Sequence, residues 1–557
     1  MIEAQRQLLS GDEAIALGAL HAGVTLGTGY PGTPSTEILE AYAGLGGRAQ
    51  WAPNEKVALE VGLGVAFARG RALVTMKHVG LNVAADVLFT AAYSGVSGAL
   101  VIVSADDPGL SSSQNEQDNR RYAVAAGVPM LEPADSQQAY DFTFAALELS
   151  EHWGIPVLLR LTTRVCHSKT VVQDGRAPLP PAVTHFERNI RERVMMPAHA
   201  RPAHRRLREK LAQIETWAET APLHVRHRGA GRLGIVTSGV VAAHAREAAP
   251  DASVLQLAVT HPLPLGLIRD FVATVQDCVV LEEGDPYLED ALKAAGLKVR
   301  GKPAMYRFGE FNVSRVRRIL GGDTSPEAAP PRGKPPQLCP GCPYRTVFEV
   351  VRRLDCIVSG DIGCYTLGAL PPFEAMDTQI CMGGSLGIGL GLRHVLPPDE
   401  ARRVISVIGD STFMHSGLTG LAEMVYNPPA TGHVLLVLDN GTTAMTGQQE
   451  HPGTGRLLTH EPTGKVSIEG VARAMGVKHV DVIDPVAKPA EFEALLRSRM
   501  AEPSLAVIVA RRNCILAAGA IRGYENAARA AAAAATPSCG CGPDCGCAGG
   551  AGEEAHS

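Results

Sequence analysis

Short apolar runs alternate with alanine-rich amphipathic stretches along the first third of the chain. GVTLGTGYPGTPS passes from an apolar run into a proline-bounded turn, STEILEAYAGL follows with helical spacing, and RALVTM, ALVIVSADDPG and GIPVLLRLTT repeat the apolar theme. Strand-then-helix spacing of this kind predicts a parallel sheet covered by helices over residues 1–180. The character changes over 181–230, where PLPPAV precedes FERNIRERVMM and HRRLREKLAQIETWAET, a connector with a polar amphipathic helix whose arginines form a solvated face. GRLGIVTSGV and ASVLQLAVTHPLPLG open a small α/β domain over 231–320. GGDTSPEAAPPRGKPPQL breaks all periodicity as a linker, a second large α/β domain fills 335–515, and 516–557 is a low-complexity tail rich in Ala, Gly and Cys. The expected fold class is α/β, with two large parallel-sheet domains and a smaller one between them.

At 557 residues the chain is too long for one ordinary core, in keeping with several domains. With 20% charged residues and a formal net charge of -5, it offers no general basic surface for a nucleic-acid partner. Aromatics are only 5% while glycine reaches 59 residues, which suits closely packed layers and tight turns. No run reaches the roughly 18 apolar residues of a membrane helix, and MIEAQRQLLSGDEAIALGAL lacks the apolar stretch of a secretion signal. A cytoplasmic protein is expected.

Candidate chemistry begins with two polar turns in the last large domain. VISVIGD reads as a strand ending at Asp410, and HVLLVLDNG as a neighbouring strand ending at Asn440. In a parallel sheet both carboxyl ends open on one edge, where ligands commonly bind, so the two side chains can converge on one cation. Asp and Asn oxygens suit Mg²⁺, with phosphate and water completing its shell. A plainer alternative treats GD as a turn and DNG as a hairpin. The wholly apolar HVLLVL fits a buried parallel strand better.

The 12 cysteines are unevenly placed: none precedes Cys166, several crowd Cys339 to Cys381, and Cys539, Cys541, Cys545 and Cys547 fall in the tail. For a large chain in a reducing compartment this favours metal or redox chemistry over a disulfide scaffold. Cys339-Pro-Gly-Cys342 is a CxxC pair, Cys364 follows within GDIGCYTLG, and Cys514 lies far downstream, near the end of the same domain. Spacing alone leaves a redox dithiol, zinc and iron–sulfur open.

The pattern GDS at 409–411 followed by DN at 439–440 resembles the diphosphate-binding motif of thiamine diphosphate enzymes, GDG followed by a similar spacer and NN. Ser411 replaces its last glycine and Asp439 its first asparagine. GYPGTPSTEI, NEKVALE, MKHVGLNVAAD, CPGCPYR, GDIGCYTLG and DTQICMGGSLGIG extend the likeness over about residues 10–515. Together they resemble the large subunits of indolepyruvate:ferredoxin oxidoreductases, in the 2-oxoacid:ferredoxin oxidoreductase superfamily.

That resemblance implies thiamine diphosphate held at Gly363, Gly383, Gly409 and Ser411, with Mg²⁺ on Asp410, Asn440 and the Thr442 carbonyl. Glu55, in the loop before a helix, would promote proton loss from the thiazolium C2, with Glu60 the rival carboxylate. Thr33 would hydrogen-bond the oxoacid while Ser35 and Thr36 cap the helix near Glu37. His78, on one side with Asn82 if the stretch is helical or else at a strand-to-turn position, would contact a proton or the substrate, and Lys77 would offset substrate charge. Cys339, Cys342, Cys364 and Cys514 would hold one [4Fe-4S] cluster; Cys381 is the rival fourth ligand and is expected to be buried. The implied reaction is oxidative decarboxylation of an aryl-2-oxoacid such as indolepyruvate to an acyl-CoA and CO₂, with coenzyme A as cosubstrate. Implied partners are a smaller beta subunit, ferredoxin or another electron acceptor, and a second copy of the heterodimer. A non-oxidative thiamine-dependent decarboxylase or carboligase, and an inactive scaffold or regulatory subunit, are the alternatives. The tail departs from the resemblance: CGCGPDCGC lacks the CxxCxxCxxxCP runs of the ferredoxin-like domain found in many relatives.

Overall fold

The computed structural model describes residues 5–328 and 336–535, and three main sheets organise them. The largest runs in the order Val259–His261, Met130–Leu131, Val157–Thr162, Ala99–Asp106, Arg71–Lys77, Leu26–Gly29, Ala49–Trp51. All pairs are parallel except the first, which is antiparallel. Its central strands are buried along their length, so Ala99–Asp106 and Val157–Thr162 read as nearly unbroken apolar runs. Helices Gly11–His21 and Ser136–Trp153 cover one face, and Glu55–Phe67 and His78–Ser94 the other.

The middle sheet has the order Asp277–Leu281, Leu233–Ser238, Ser253–Leu257, Val225–His227. ASVLQLAVTHP, which reads as part of a separate small domain, splits in two: Ser253–Leu257 stays here and Val259–His261 crosses to pair with Met130–Leu131 of the first sheet. The crossing covers an edge that would otherwise present unpaired backbone groups. The cores merge as well, since Ile235, Val254, Leu281 and Phe311 belong to one continuous apolar cluster with Ala14, Val103 and Leu159. A buried ion pair and a buried hydrogen bond cross the same boundary: Arg120 Nη1 lies 2.7 Å from Glu282 Oε2, and Glu132, held by Arg160 at 2.8 Å, accepts from Ser238 Oγ at 3.1 Å. The connector's helix, Pro197–Ala218, buries Leu207 and Ile214 in the first domain's second core and leaves Arg201, Arg205, Arg206 and Arg208 exposed.

The third sheet is wholly parallel, in the order Ile357–Ser359, Val404–Gly409, His433–Asp439, Leu505–Arg511, His479–Ile483. Its apolar clusters contain only residues from Leu338 onward. The two motif strands end at Gly409 and Asp439, one residue short of expectation, because Asp410 begins a helical turn and Asn440 opens a loop. Among the described residues no helix is long and apolar enough to cross a membrane. Part of the proline-rich linker, 329–335, and the tail cysteines Cys539, Cys541, Cys545 and Cys547 lie outside the described residues.

Candidate active site

Val404–Gly409 and His433–Asp439 are adjacent, with Gly409 level with Leu438, so Asp410 and Asn440 leave the sheet at one rim. Both line a cleft of about 820 Å³, counting its open mouth, whose far wall comes from the first domain: Tyr30, Thr33, Glu55 and Lys77. Asp410 is buried; its Oδ1 accepts the Ser411 N–H at 2.9 Å, and its Oδ2 accepts the Gly441 N–H at 2.8 Å and faces His451 Nε2 at 3.2 Å. Asn440 Oδ1 accepts the Thr442 N–H at 3.1 Å. Asp439 also reaches this rim, where burial and the neighbouring charge of Asp410 raise its pKa although Arg511 Nε donates to it at 2.7 Å. Asp410 and Asn440, with Thr442 beside them, bring a carboxylate and an amide oxygen to the cleft wall, a donor set that fits a hard divalent cation, whereas Asp439 does not line the cleft.

Ser411, standing where the resemblance expects glycine, has its own use. Its Oγ lies 2.9 Å from Tyr30 Oη and accepts from Thr443 Oγ1 at 2.8 Å, which ties the first domain to the third. Gly363 and Gly409 both line the cleft, and a Cβ on either would run into the Tyr365 ring, at 2.4 and 2.8 Å. Gly383 is not part of the cleft wall; it has φ +82° and donates its N–H to Asp361 Oδ1 at 2.9 Å. Asp361 also accepts from the N–H groups of Ile362 and Ser385, at 2.8 and 3.1 Å, and burial lifts its pKa to about 6. These bonds fix the start of the Gly384–Val395 helix and so place Met382 on the cleft wall.

Glu55 is the first residue of the Glu55–Phe67 helix rather than part of the preceding loop. Asn54 caps that helix, its Oδ1 accepting the Val57 N–H at 2.9 Å. Glu55 is only 4% exposed, and its Oε2 lies 2.8 Å from His415 Nε2. Gly80 makes room for it: a Cβ there would sit 2.6 Å from Glu55 Oε1. Glu60 is exposed and paired with Lys56. Ser35 Oγ donates to the Gly32 carbonyl at 3.0 Å and makes no helix cap, while Thr36 is the first residue of its helix. Lys77 donates to the Ser112 carbonyl at 2.9 Å, and burial lowers its pKa. His78 starts the His78–Ser94 helix, is fully buried, lies 3.0 Å from the Asn115 carbonyl through Nε2, and does not line the cleft. Asn82 instead accepts from Tyr122 Oη at 2.6 Å.

Cys339, Cys342, Cys364 and Cys514 line a second cavity. Tyr344, Cys364, Asn440 and Ala444 belong to the walls of both cavities. Burial pushes the Cys364 thiol up to about 11, with Cys342, Cys514 and Cys339 adding to the rise, and burial raises Cys342 too. Four cysteines on the wall of one cavity are a sulfur donor set of the kind that holds a polynuclear metal cluster, and the set fits one. Cys381, expected to be buried, is exposed and absent from this cavity, because it stands in the open turn that leads into the Gly384–Val395 helix.

Four further residues complete the site: Tyr30 and Asp361, inside the motifs GYPGTPSTEI and GDIGCYTLG, and His415 and His451, which carry no sequence signal. His451, in HPGTG, follows no spacing rule, and His415 lies in an ordinary-looking amphipathic stretch.

Two parallel-sheet domains close a cleft between a buried glutamate and an Asp/Asn rim, and both domains match thiamine-diphosphate-binding families. Residues 17–209 match the family described as pyruvate flavodoxin/ferredoxin oxidoreductase, thiamine diphosphate-binding, and 361–510 match the thiamine pyrophosphate enzyme C-terminal TPP binding domain. The chain is 41% identical to indolepyruvate oxidoreductase subunit IorA of Archaeoglobus fulgidus, over 92% of this chain and 87% of that one. It is 38% identical to the IorA subunit of Methanothermobacter thermautotrophicus over 94% and 89%, and 37% identical to that of Pyrococcus abyssi over 92% and 86%. It belongs to the family of large, alpha subunits of indolepyruvate-type 2-oxoacid:ferredoxin oxidoreductases.

Proposed function

We propose that this chain carries out coenzyme-A-dependent oxidative decarboxylation of aryl-2-oxoacids, indolepyruvate among them. The observation that carries the reading is the pair of abutting cavities, one joining Glu55 to Asp410 and Asn440, the other lined by four cysteines, with four wall residues in common. Thiamine diphosphate in the first cavity supplies an electron sink for decarboxylation, and a [4Fe-4S] cluster in the second supplies a one-electron acceptor. Asp410, Asn440 and the Thr442 carbonyl hold Mg²⁺ against the diphosphate, and Gly363 and Gly409 let the backbone approach it. Glu55 holds the carboxylate that moves the activating proton. Thr33 donates to the oxoacid, and Lys77, already partly stripped of water, offsets its negative charge. Met382 and Met445 on the cleft wall offer polarisable surface to an aryl ring. His78 and Gly383 act at a remove, through the loops they anchor.

Cys339, Cys342, Cys364 and Cys514 are the cluster ligands in this reading. A smaller beta subunit completes the complex, two heterodimers associate, and ferredoxin or another acceptor receives the electrons. Anaerobic purification with the partner subunit, iron and sulfide analysis, and an indolepyruvate- and coenzyme-A-dependent dye-reduction assay test the proposal together. About four irons and four sulfides per chain are expected. Iron-free protein with full activity would falsify the cluster assignment, and Glu55→Gln with normal turnover would end the carboxylate assignment.

A further inference from the structure

Glu55 and His415 come from different domains, 360 positions apart in the chain, yet their side chains meet at 2.8 Å with both buried. His415 stands on a single widened, π-helical turn, Phe413–Gly417, between Asp410 and the Leu418–Tyr426 helix. Such turns interrupt the regular helix ladder and recur at functional sites. Here the interruption is used: the His415 carbonyl accepts from Asn54 Nδ2 at 2.8 Å, while the opposite end of the same amide caps the Glu55 helix. Two consecutive residues, Asn54 and Glu55, are thus clamped to the backbone and to the ring of one histidine. The ring is itself fixed, with Ser416 Oγ 2.6 Å from Nδ1 and the Tyr30 ring edge-on at 4.7 Å between centroids.

With Glu55 ionised, Nε2 carries the ring proton and donates it to Oε2, leaving Nδ1 to accept the Ser416 hydroxyl. Oε1 makes no hydrogen bond among the described residues, and Glu55 lines the cleft whereas His415 does not. His415 therefore stands behind the carboxylate, occupying one oxygen and leaving the other free. We propose that His415 is a positioning residue of the reaction: its bond to Oε2 holds the carboxylate so that Oε1 faces the pyrimidine nitrogen N1′ of the cofactor. This rests on the reading of Glu55 given above, and the clamp also makes that geometry conditional on closure of the two domains.

The test compares the full chain, its Glu55→Gln, His415→Ala and His415→Gln variants, and the double variant. Calorimetry measures affinity, with Mg²⁺ present, for thiamine diphosphate and for an analogue carrying carbon in place of N1′. Exchange of the C2 proton for deuterium in the loaded protein is followed by NMR. The parent should favour the natural cofactor by about tenfold or more, the worth of a hydrogen bond to a charged group. His415→Ala should erase most of that preference and slow C2 exchange by about 10²-fold, as a misplaced catalytic group does. His415→Gln, whose amide can still donate, should recover part of both, and it carries the test if the alanine variant folds poorly. The double variant should be no worse than Glu55→Gln alone, because residues acting through one another are not additive. An unchanged preference in both His415 variants, beside its loss in Glu55→Gln, overturns the proposal and leaves the Glu55 reading standing. Additive losses in the double variant overturn it too. A normal preference and exchange rate in Glu55→Gln removes the Glu55 reading and the proposal with it.

Discussion

The buried charge seam between the first and middle domains makes stability depend on pH, and Glu283 is the residue through which this is cleanest to measure. Its carboxyl is buried and accepts the Phe311 N–H at 2.7 Å; burial lifts its pKa from 4.5 to about 7. A carboxyl raised in the folded state favours folding only while it is protonated. Its contribution is complete below the ordinary value of 4.5 and is lost as pH rises through about 7. That gap corresponds to about 3.4 kcal/mol in full, of which about 2 kcal/mol is lost between roughly pH 5.5 and roughly pH 8.5. Glu283→Gln stays neutral and keeps a carbonyl for the Phe311 N–H. The three tryptophans, Trp51, Trp153 and Trp217, all lie in or against the first domain, so their fluorescence during urea titration reports this half of the molecule. Wild type should lose about 2 kcal/mol more than the variant across that pH range. Parallel pH slopes for the two proteins would show that Glu283 is not held protonated.

Gly80→Ala should force Glu55 aside, since the new Cβ meets its Cγ and Oε1 at 2.6 Å; turnover is expected to fall at least about tenfold and the calorimetric preference for thiamine diphosphate over its N1′-carbon analogue to shrink with it, and normal turnover would contradict the geometry. Tyr30→Phe deletes the 2.9 Å contact to Ser411; at about 1 kcal/mol for such a bond, cofactor affinity should weaken about fivefold, and an unchanged binding isotherm would show that this contact does not help close the cleft. Cys364→Ala should lower iron content, read by elemental analysis after anaerobic purification, whereas the exposed Cys381→Ala should leave it unchanged; the reverse result would exchange their roles.

Much of the site was readable because it depends on where strands end. The apolar runs VISVIG and HVLLVL identify neighbouring parallel strands, and the first polar residues after them, Asp410 and Asn440, share a rim. The cysteines were readable as a set through their spacing and resemblance. Contacts between domains were not readable: His415 reaches Glu55 only because a π-helical turn rotates it, and no side-chain periodicity encodes that turn. The edge strand Val259–His261 was missed for a related reason, since VTH looks like a continuation of VLQL until the chain bends at Ala258 to join another sheet. Cys381 misled because its glycine-rich surroundings suggest tight packing, whereas the chain there is an exposed turn. His78 misled because its motif is close to the site while its ring points to the Asn115 carbonyl.

The unequal joints of the molecule decide which of its parts can separate. Between the first and middle domains run a shared strand pairing, a common apolar interior and paired buried charges, so parting them would strip water-avoiding surface and leave naked ions. The first and third domains meet through single polar bonds, Tyr30–Ser411, Asn54–His415, Glu55–His415 and Glu40–Gln449, and the edge-on Tyr30–His415 ring contact, with no apolar cluster spanning the two among the described residues. Thermal breathing will therefore concentrate along the cleft between these two domains. Each such excursion admits solvent and pulls the glutamate out of alignment, so a ligand that bridges both walls both fills the crevice and locks its own machinery.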